Sequence, residues 1–296
     1  MKKEIFRGSA PALITPFTKD GVDYEAFGRL IDFQIENGSS ALVVCGTTGE
    51  PATMTYEERA RTLDFALERV NKRVPVIVGT GSNATSIVID NCKKAYAAGA
   101  DAVLVVTPYY NKCTQTGLIK HFEAVCSATP LPVIAYSVPS RTGVNIEPKS
   151  FETLVEFDTF AAIKEASGSM DQITDICARV GDKIAVYSGD DGITVPLMSV
   201  GGKGVISVVA NVAPRFMSDM CDAFFAGDVK KACKMQLDVY PLVKAMFCEV
   251  NPIPVKTAAS LMGLGECNLR LPLCDMSSEH LDLLKREMKK FGLLGE

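Results

Sequence analysis

Short runs of valine, isoleucine, leucine and alanine recur along this chain, each followed by a turn rich in Gly, Ser, Thr or Pro and then by a segment with apolar residues at helical spacing. The repeat, roughly 25 to 35 residues long, is that of βα units. Ala10–Thr15 reads as the first strand. Asp23 is placed to cap a helix with Phe27, Leu30, Ile31 and Ile35 on one face, stopped by Asn37-Gly38. Residues 41–45 read as strand two. Thr55 and Glu58 have the spacing of a capping box for a helix carrying Leu63, Leu67 and Val70. Residues 75–78, 102–106, 132–136, 160–164, 184–187 and 205–209 complete a set of eight expected strands. Continuous apolar runs of this kind, rather than alternating ones, mark strands buried on both faces, as in a parallel sheet. Eight of them with intervening helices predict an α/β fold, a TIM (β/α)8 barrel, and no G-x-G-x-x-G follows the first strand to favour a dinucleotide-binding sheet.

Beyond about residue 214 only helical patterns remain. One barrel helix uses about a dozen of those residues. The expected organisation is therefore a barrel over 1–227 and a C-terminal helical extension over 228–296. Its last helix repeats Leu281, Leu284, Met288 and Phe291 along one face, a stripe read as packing.

Composition narrows the function. The 296 residues are 47% hydrophobic and 22% charged with a formal net charge of −4, which supports a large core and offers no electrostatic footprint for nucleic acid. No apolar run approaches the length of a bilayer span, and the first residues lack the apolar segment of a signal peptide, so a cytoplasmic protein without membrane contact is expected. Ten cysteines are present, but none forms a C-x-x-C pair, and the only histidines are His121 and His280. Cysteines scattered in this way read as buried small hydrophobes, and neither a metal site nor a cofactor is expected.

The chemistry collects at the carboxyl ends of the strands, where barrels of this class place their active sites. Strand six ends on Lys164, an ammonium whose burial favours deprotonation to a nucleophilic amine able to form Schiff bases. The bland alternatives are a lysine that snorkels to the rim or pairs with Glu165 or Asp190. Tyr136 ends strand five beside it, either as a proton shuttle or as a rim aromatic. Arg141, on the loop Val138–Gly143, suits bidentate capture of a carboxylate, or else is a solvated loop residue. The turn Gly46-Thr47-Thr48-Gly49 is a cradle for a small anion or an ordinary βα turn. Asp190 and Asp191 read as a helix N-cap rather than as metal ligands.

Several of these segments form an ordered set: Gly46-Thr47-Thr48-Gly49-Glu50, Thr107-Pro108-Tyr109-Tyr110-Asn111, Tyr136 to Gly143, Ile163-Lys164-Glu165-Ala166, Ser188-Gly189-Asp190-Asp191, Gly204 to Val208 and Asn251 to Lys256. The chain thereby resembles, over nearly its whole length, the 4-hydroxy-tetrahydrodipicolinate synthase (dihydrodipicolinate synthase) family of pyruvate-dependent class I aldolases. Pro-Ser-Arg-Thr-Gly is the more specific mark, and Ser137 departs from the Asn usual after the tyrosine. The resemblance implies a Schiff base between Lys164 and pyruvate, with L-aspartate 4-semialdehyde as second substrate. It implies a proton relay of Tyr136, Thr47 and Tyr110, the last donated by a neighbouring subunit of a homodimer or homotetramer. It gives the pyruvate carboxylate to Thr47 and Thr48, the semialdehyde carboxylate to Arg141, and a place lining the pocket to the backbone of Ile206. Family members inhibited by L-lysine carry a glutamate where this chain has Ile87, and two histidines where it has Tyr56 and Arg59, although Asn83 and Tyr109 match; weak or absent inhibition is expected. Arg141 argues against a sugar-acid lyase of the same superfamily, and the presence of Lys164 and Tyr136 argues against a silent keto-acid sensor.

Overall fold

Caps and turns written in the sequence set the element boundaries of the computed structural model, which describes residues 2 and 4–295. Eight strands alternate with helices: β1 (Gly8–Pro11), β2 (Leu42–Val44), β3 (Val76–Gly79), β4 (Ala102–Val106), β5 (Val133–Ser137), β6 (Phe160–Glu165), β7 (Ala185–Ser188) and β8 (Gly204–Ser207). Their order in one eight-stranded sheet is β1-β8-β7-β6-β5-β4-β3-β2, the strand succession of the expected (β/α)8 barrel. The described residues group into two compact units, one comprising the chain up to Gly8 with Pro75–Ile206, the other Ser9–Val74 with the chain from Ser207 onward.

In the first unit the strands from β3 to β8 pair in parallel. Their residues are almost all buried, which is why they read as unbroken apolar runs. The pairing of β5 with β6 contains one irregularity: Val133 faces Phe160, but Ile134 faces Ala162, so Ala161 is passed over. Without that skip Tyr136 would lie opposite Ile163. With it, Tyr136 lies opposite Lys164, on the same face of the sheet.

The second unit bears out the caps read from the sequence. Asp23 accepts the Ala26 N–H ahead of helix Tyr24–Glu36, and Thr55 and Glu58 make the reciprocal capping box of helix Tyr56–Val70. Both ends of the strand series were misplaced. The first strand was expected over 10–15 and the eighth over 205–209, yet β1 stops at Pro11 and Val209–Asn211 is a 3-10 turn. The buried Asn211 carboxamide accepts the Ile14 N–H at 2.9 Å and donates to the Ala12 carbonyl at 2.8 Å. A side chain thus replaces the sheet ladder for these backbone groups, which leaves them paired without being strand. From Asp228 onward the unit is helical, with helices Val229–Met246, Ile253–Leu261 and Ser278–Lys290. Leu284 and Met288 are buried on the last of these and the Phe291 ring packs on Phe216 at 4.8 Å, in agreement with the packing stripe.

Candidate active site

Lys164 is only 5% exposed. Its Nζ lies 4.3 Å from the centre of the Tyr136 ring, the neighbour that the β5–β6 register supplies. Burial lowers the Lys164 pKa to about 8; Asp191 opposes the shift and the Arg141 guanidinium adds to it. About a tenth of the amine is therefore neutral at pH 7, far more than an ordinary lysine offers.

The pairing alternatives for this lysine are not what the structure contains. Glu165 is the next residue on an extended strand and faces the opposite side, where its Oε1 accepts the Ser167 N–H at 2.7 Å and its Oε2 accepts the Gln172 amide at 3.2 Å. Burial pushes its carboxyl above the usual range. Asp190 caps a 3-10 turn by accepting the Gly192 N–H at 2.7 Å. Of the two adjacent acids, only Asp190 is the expected cap. Asp191 is the buried carboxylate whose charge Lys164 feels, a distinction that a pair of neighbouring acids in a sequence does not disclose.

Arg141 stands on the helical turn Pro139–Thr142, which Gly143 ends in the left-handed conformation (φ 69°). Arg141 is an exposed residue, while Thr142 is buried and accepts the Thr107 hydroxyl at 3.0 Å, tying this loop to the one after β4. That second loop carries Tyr110, which is 86% exposed and holds a φ of 74°, an uncommon conformation for a bulky residue. Ile206 is buried in β8.

Thr47 and Thr48 belong to the second unit. The 3-10 turn Thr47–Gly49 is bracketed by Cys45 and Glu50, both in left-handed backbone. Thr48 is buried and its hydroxyl accepts the Asn251 amide at 3.0 Å. The backbone runs too close to its surroundings for a larger residue at Gly49, where a Cβ would stand 3.1 Å from the Leu13 carbonyl. Beneath this turn Glu50 accepts Lys256 Nζ at 2.5 Å, and Lys256 also donates to the Asn268 carbonyl at 2.6 Å. Both side chains of the pair are shielded from solvent, at 0% and 1% exposure. Sequence reasoning gave no role to Glu50, Lys256 or Asn251. Their only signal was membership of the motif segments at Gly46 to Glu50 and Asn251 to Lys256.

All ten cysteines are free, and among the described residues no three His, Cys, Asp or Glu side chains gather as a metal site would require. No helix among the described residues is long and apolar enough to cross a membrane.

A buried amine of depressed pKa, with a tyrosine ring against it and an arginine on the next loop, occurs here on a fold shared with known proteins. Residues 5–291 match the model of the dihydrodipicolinate synthetase family. The chain is 50% identical over 290 residues to 4-hydroxy-tetrahydrodipicolinate synthase of Geobacter sulfurreducens, covering 98% of this chain and 100% of that one. Among solved structures, dihydrodipicolinate synthase from Thermotoga maritima superposes with a TM-score of 0.97 at 43% identity, covering 98% of this chain and 100% of that one. A structure described as the first monomeric dihydrodipicolinate synthase variant gives the same TM-score and identity, with 98% of each chain covered. On the match of the family model and the identity to its relatives, this chain belongs to the dihydrodipicolinate synthetase family.

Proposed function

We propose that this chain condenses pyruvate with L-aspartate 4-semialdehyde through a Schiff base on Lys164 to give 4-hydroxy-tetrahydrodipicolinate, a step of diaminopimelate and lysine biosynthesis. The observation that carries this reading is the buried Lys164 amine with its pKa lowered to about 8. Among the described residues Lys256 is the other lysine buried to this degree, and its amine is engaged by the Glu50 carboxylate and the Asn268 carbonyl.

The neutral Nζ attacks the pyruvate ketone, and loss of water leaves an iminium. A proton then leaves the methyl carbon to give an enamine, which forms a carbon–carbon bond to the aldehyde of the second substrate. The amine of that substrate displaces Lys164 from the former ketone carbon, closing the ring and releasing the enzyme. Tyr136, Thr47 and Tyr110 are assigned to move protons, which the Tyr136 ring packed at Nζ supports for the first of them. Thr47 and Thr48 take the pyruvate carboxylate, and the anchored Thr48 hydroxyl suits that task. Arg141 takes the semialdehyde carboxylate, supported by its place as an exposed residue on a braced turn. The backbone of Ile206 lines the pocket. Residues 1–227 form the barrel and 228–296 a helical extension, in keeping with the absence of strands after β8 among the described residues. The working form is a cytoplasmic homodimer or a homotetramer built as a dimer of dimers, and the reaction uses neither cofactor nor metal.

The test is a coupled assay of pyruvate with aspartate semialdehyde against a panel of sugar aldehydes, together with borohydride trapping. Turnover with the semialdehyde and a reduced pyruvate adduct at Lys164 are expected. Preference for a sugar aldehyde, or an adduct at Lys256, would overturn the reading.

A further inference from the structure

Four polar side chains join the loop after β5 to the end of β6, and the chemistry proposed above uses none of them. Ser137 ends β5, and Asn145 lies just past the Arg141 turn. The Ser137 hydroxyl donates to Asn145 Oδ1 at 3.1 Å and accepts the Ile146 N–H at 3.2 Å, which draws the two ends of the loop together. Asn145 and Gln172 then exchange two hydrogen bonds, Nδ2 to Oε1 at 2.7 Å and Nε2 to Oδ1 at 3.1 Å. Gln172 Nε2 also reaches Glu165 Oε2 at 3.2 Å, next in sequence to the nucleophile.

We infer that Asn145 and Gln172 are positioning residues that hold the base of the Arg141 loop against the end of β6, and so fix the guanidinium relative to the Lys164 amine. This rests on the reading of Arg141 given above. A reciprocal amide pair is directional, so displacing the loop breaks both of its bonds at once. Gln172 is in addition a donor to the fully buried Glu165 carboxylate, which Ser167 also serves. The Thr107–Thr142 hydroxyl contact ties the outer side of the loop, whereas the amide pair sets its base. The groups that face Lys164 are Tyr136 from β5, Asp191 from the turn after β7 and Arg141 from this loop. When the loop moves away, the positive charge of Arg141 withdraws while Asp191 stays. The ammonium form of Lys164 is then favoured more than before.

The experiment uses full-length Asn145→Ala and Gln172→Ala enzymes, with Arg141→Ala in parallel. Steady-state kinetics for both substrates are combined with the pH profile of borohydride trapping by pyruvate. In the two clamp variants we expect KM for the semialdehyde to rise about tenfold or more. Pyruvate kcat/KM at alkaline pH should stay within about twofold of wild type, and the trapping midpoint should move to higher pH. An unchanged semialdehyde KM with an unmoved midpoint overturns the clamp, however far the melting temperature falls, because a purely structural role lowers stability without touching either quantity. If Arg141→Ala itself spares the semialdehyde KM, the assignment of Arg141 fails, and the midpoint in Asn145→Ala decides the clamp alone. A midpoint that stays put then rejects it.

Discussion

The Lys164 pKa is lowered because the protein removes its water and places a second cation on the neighbouring loop, while Asp191 only partly offsets these effects. Iminium formation should therefore rise with pH and level off around a midpoint of about 8, well below the pH at which a free lysine deprotonates. Rapid-mix trapping of the adduct from pH 6 to 10 checks this, and a midpoint near that of free lysine would show the amine to be solvated. The same shift has a cost in stability. The folded-state pKa lies below the 10.5 of an ordinary lysine, so the unfolded chain holds more protons between about pH 8 and 10.5, and stability rises with pH across that window. Below it the full penalty, on the order of 3 kcal/mol, is present. Lys164→Met should accordingly melt higher than wild type at pH 7, with the difference vanishing above about pH 10.5. On the resemblance stated above, the response to free L-lysine also turns on single residues. Ile87 is 49% exposed and carries no acceptor for an ammonium, and the Arg59 guanidinium, stacked near the Tyr56 ring, adds positive charge. A lysine titration at subsaturating pyruvate should show no half-inhibition below about a millimolar, since an unpaired ion removes the several kcal/mol that tighter binding needs.

At the scale of elements, two contacts decide whether the pieces assemble. Gly204 opens β8 with a φ of 136°, and a Cβ there would lie 1.9 Å from the Gly8 carbonyl oxygen. Gly204→Ala meets both a strained backbone and a collision with main chain. It should lose on the order of 3 kcal/mol or more. Gly227→Ala, where a Cβ meets nothing within 4 Å, should lose about 1 kcal/mol from its left-handed backbone alone. Urea midpoints of the two variants make the comparison. The second contact fastens helix Ile253–Leu261 to the turn after β2 through Lys256 and Glu50. Lys256→Met leaves the Glu50 carboxylate buried without its partner, and should cost about 3 to 5 kcal/mol. Adding Glu50→Gln should recover much of that loss, because the uncompensated charge rather than the missing attraction dominates. If the double variant is no better than the single one, the pair serves through geometry instead.

At the scale of the whole molecule, the proposed function calls for more than one copy of the chain. Tyr110 is almost fully exposed in a left-handed conformation, on a loop whose base is tied to the Arg141 loop through Thr107 and Thr142. An exposed aromatic in so confined a backbone is what the proposed contact with a second copy of the chain would use. Sedimentation should find at least a dimer at assay concentration, and Tyr110→Phe should lower turnover while leaving the melting temperature within a few degrees of wild type. A fully active monomer would refute the assignment. The relative described as a monomeric variant makes this a real alternative outcome.

The sequence by itself determined the class of fold and its punctuation. Continuous Val/Ile runs are satisfied by strands buried on both faces, and Asp23, Asn37 and Thr55 with Glu58 mark helix ends through local bonds between residues a few positions apart. Lys164, Tyr136 and Arg141 were legible for the same reason: each closes an apolar strand or follows one, where a polar side chain is out of place. Tertiary structure alone decided what depends on partners distant in the chain. The residue passed over at Ala161 sets Tyr136 beside Lys164, the Asn211 carboxamide ends β1 early, and Asp191 rather than Asp190 reaches the amine. Glu50 meets Lys256 across 206 residues of sequence. None of these leaves a periodic trace in the chain, because a buried pair or a skipped residue is stabilised by desolvation and register, which exist only once the elements have packed.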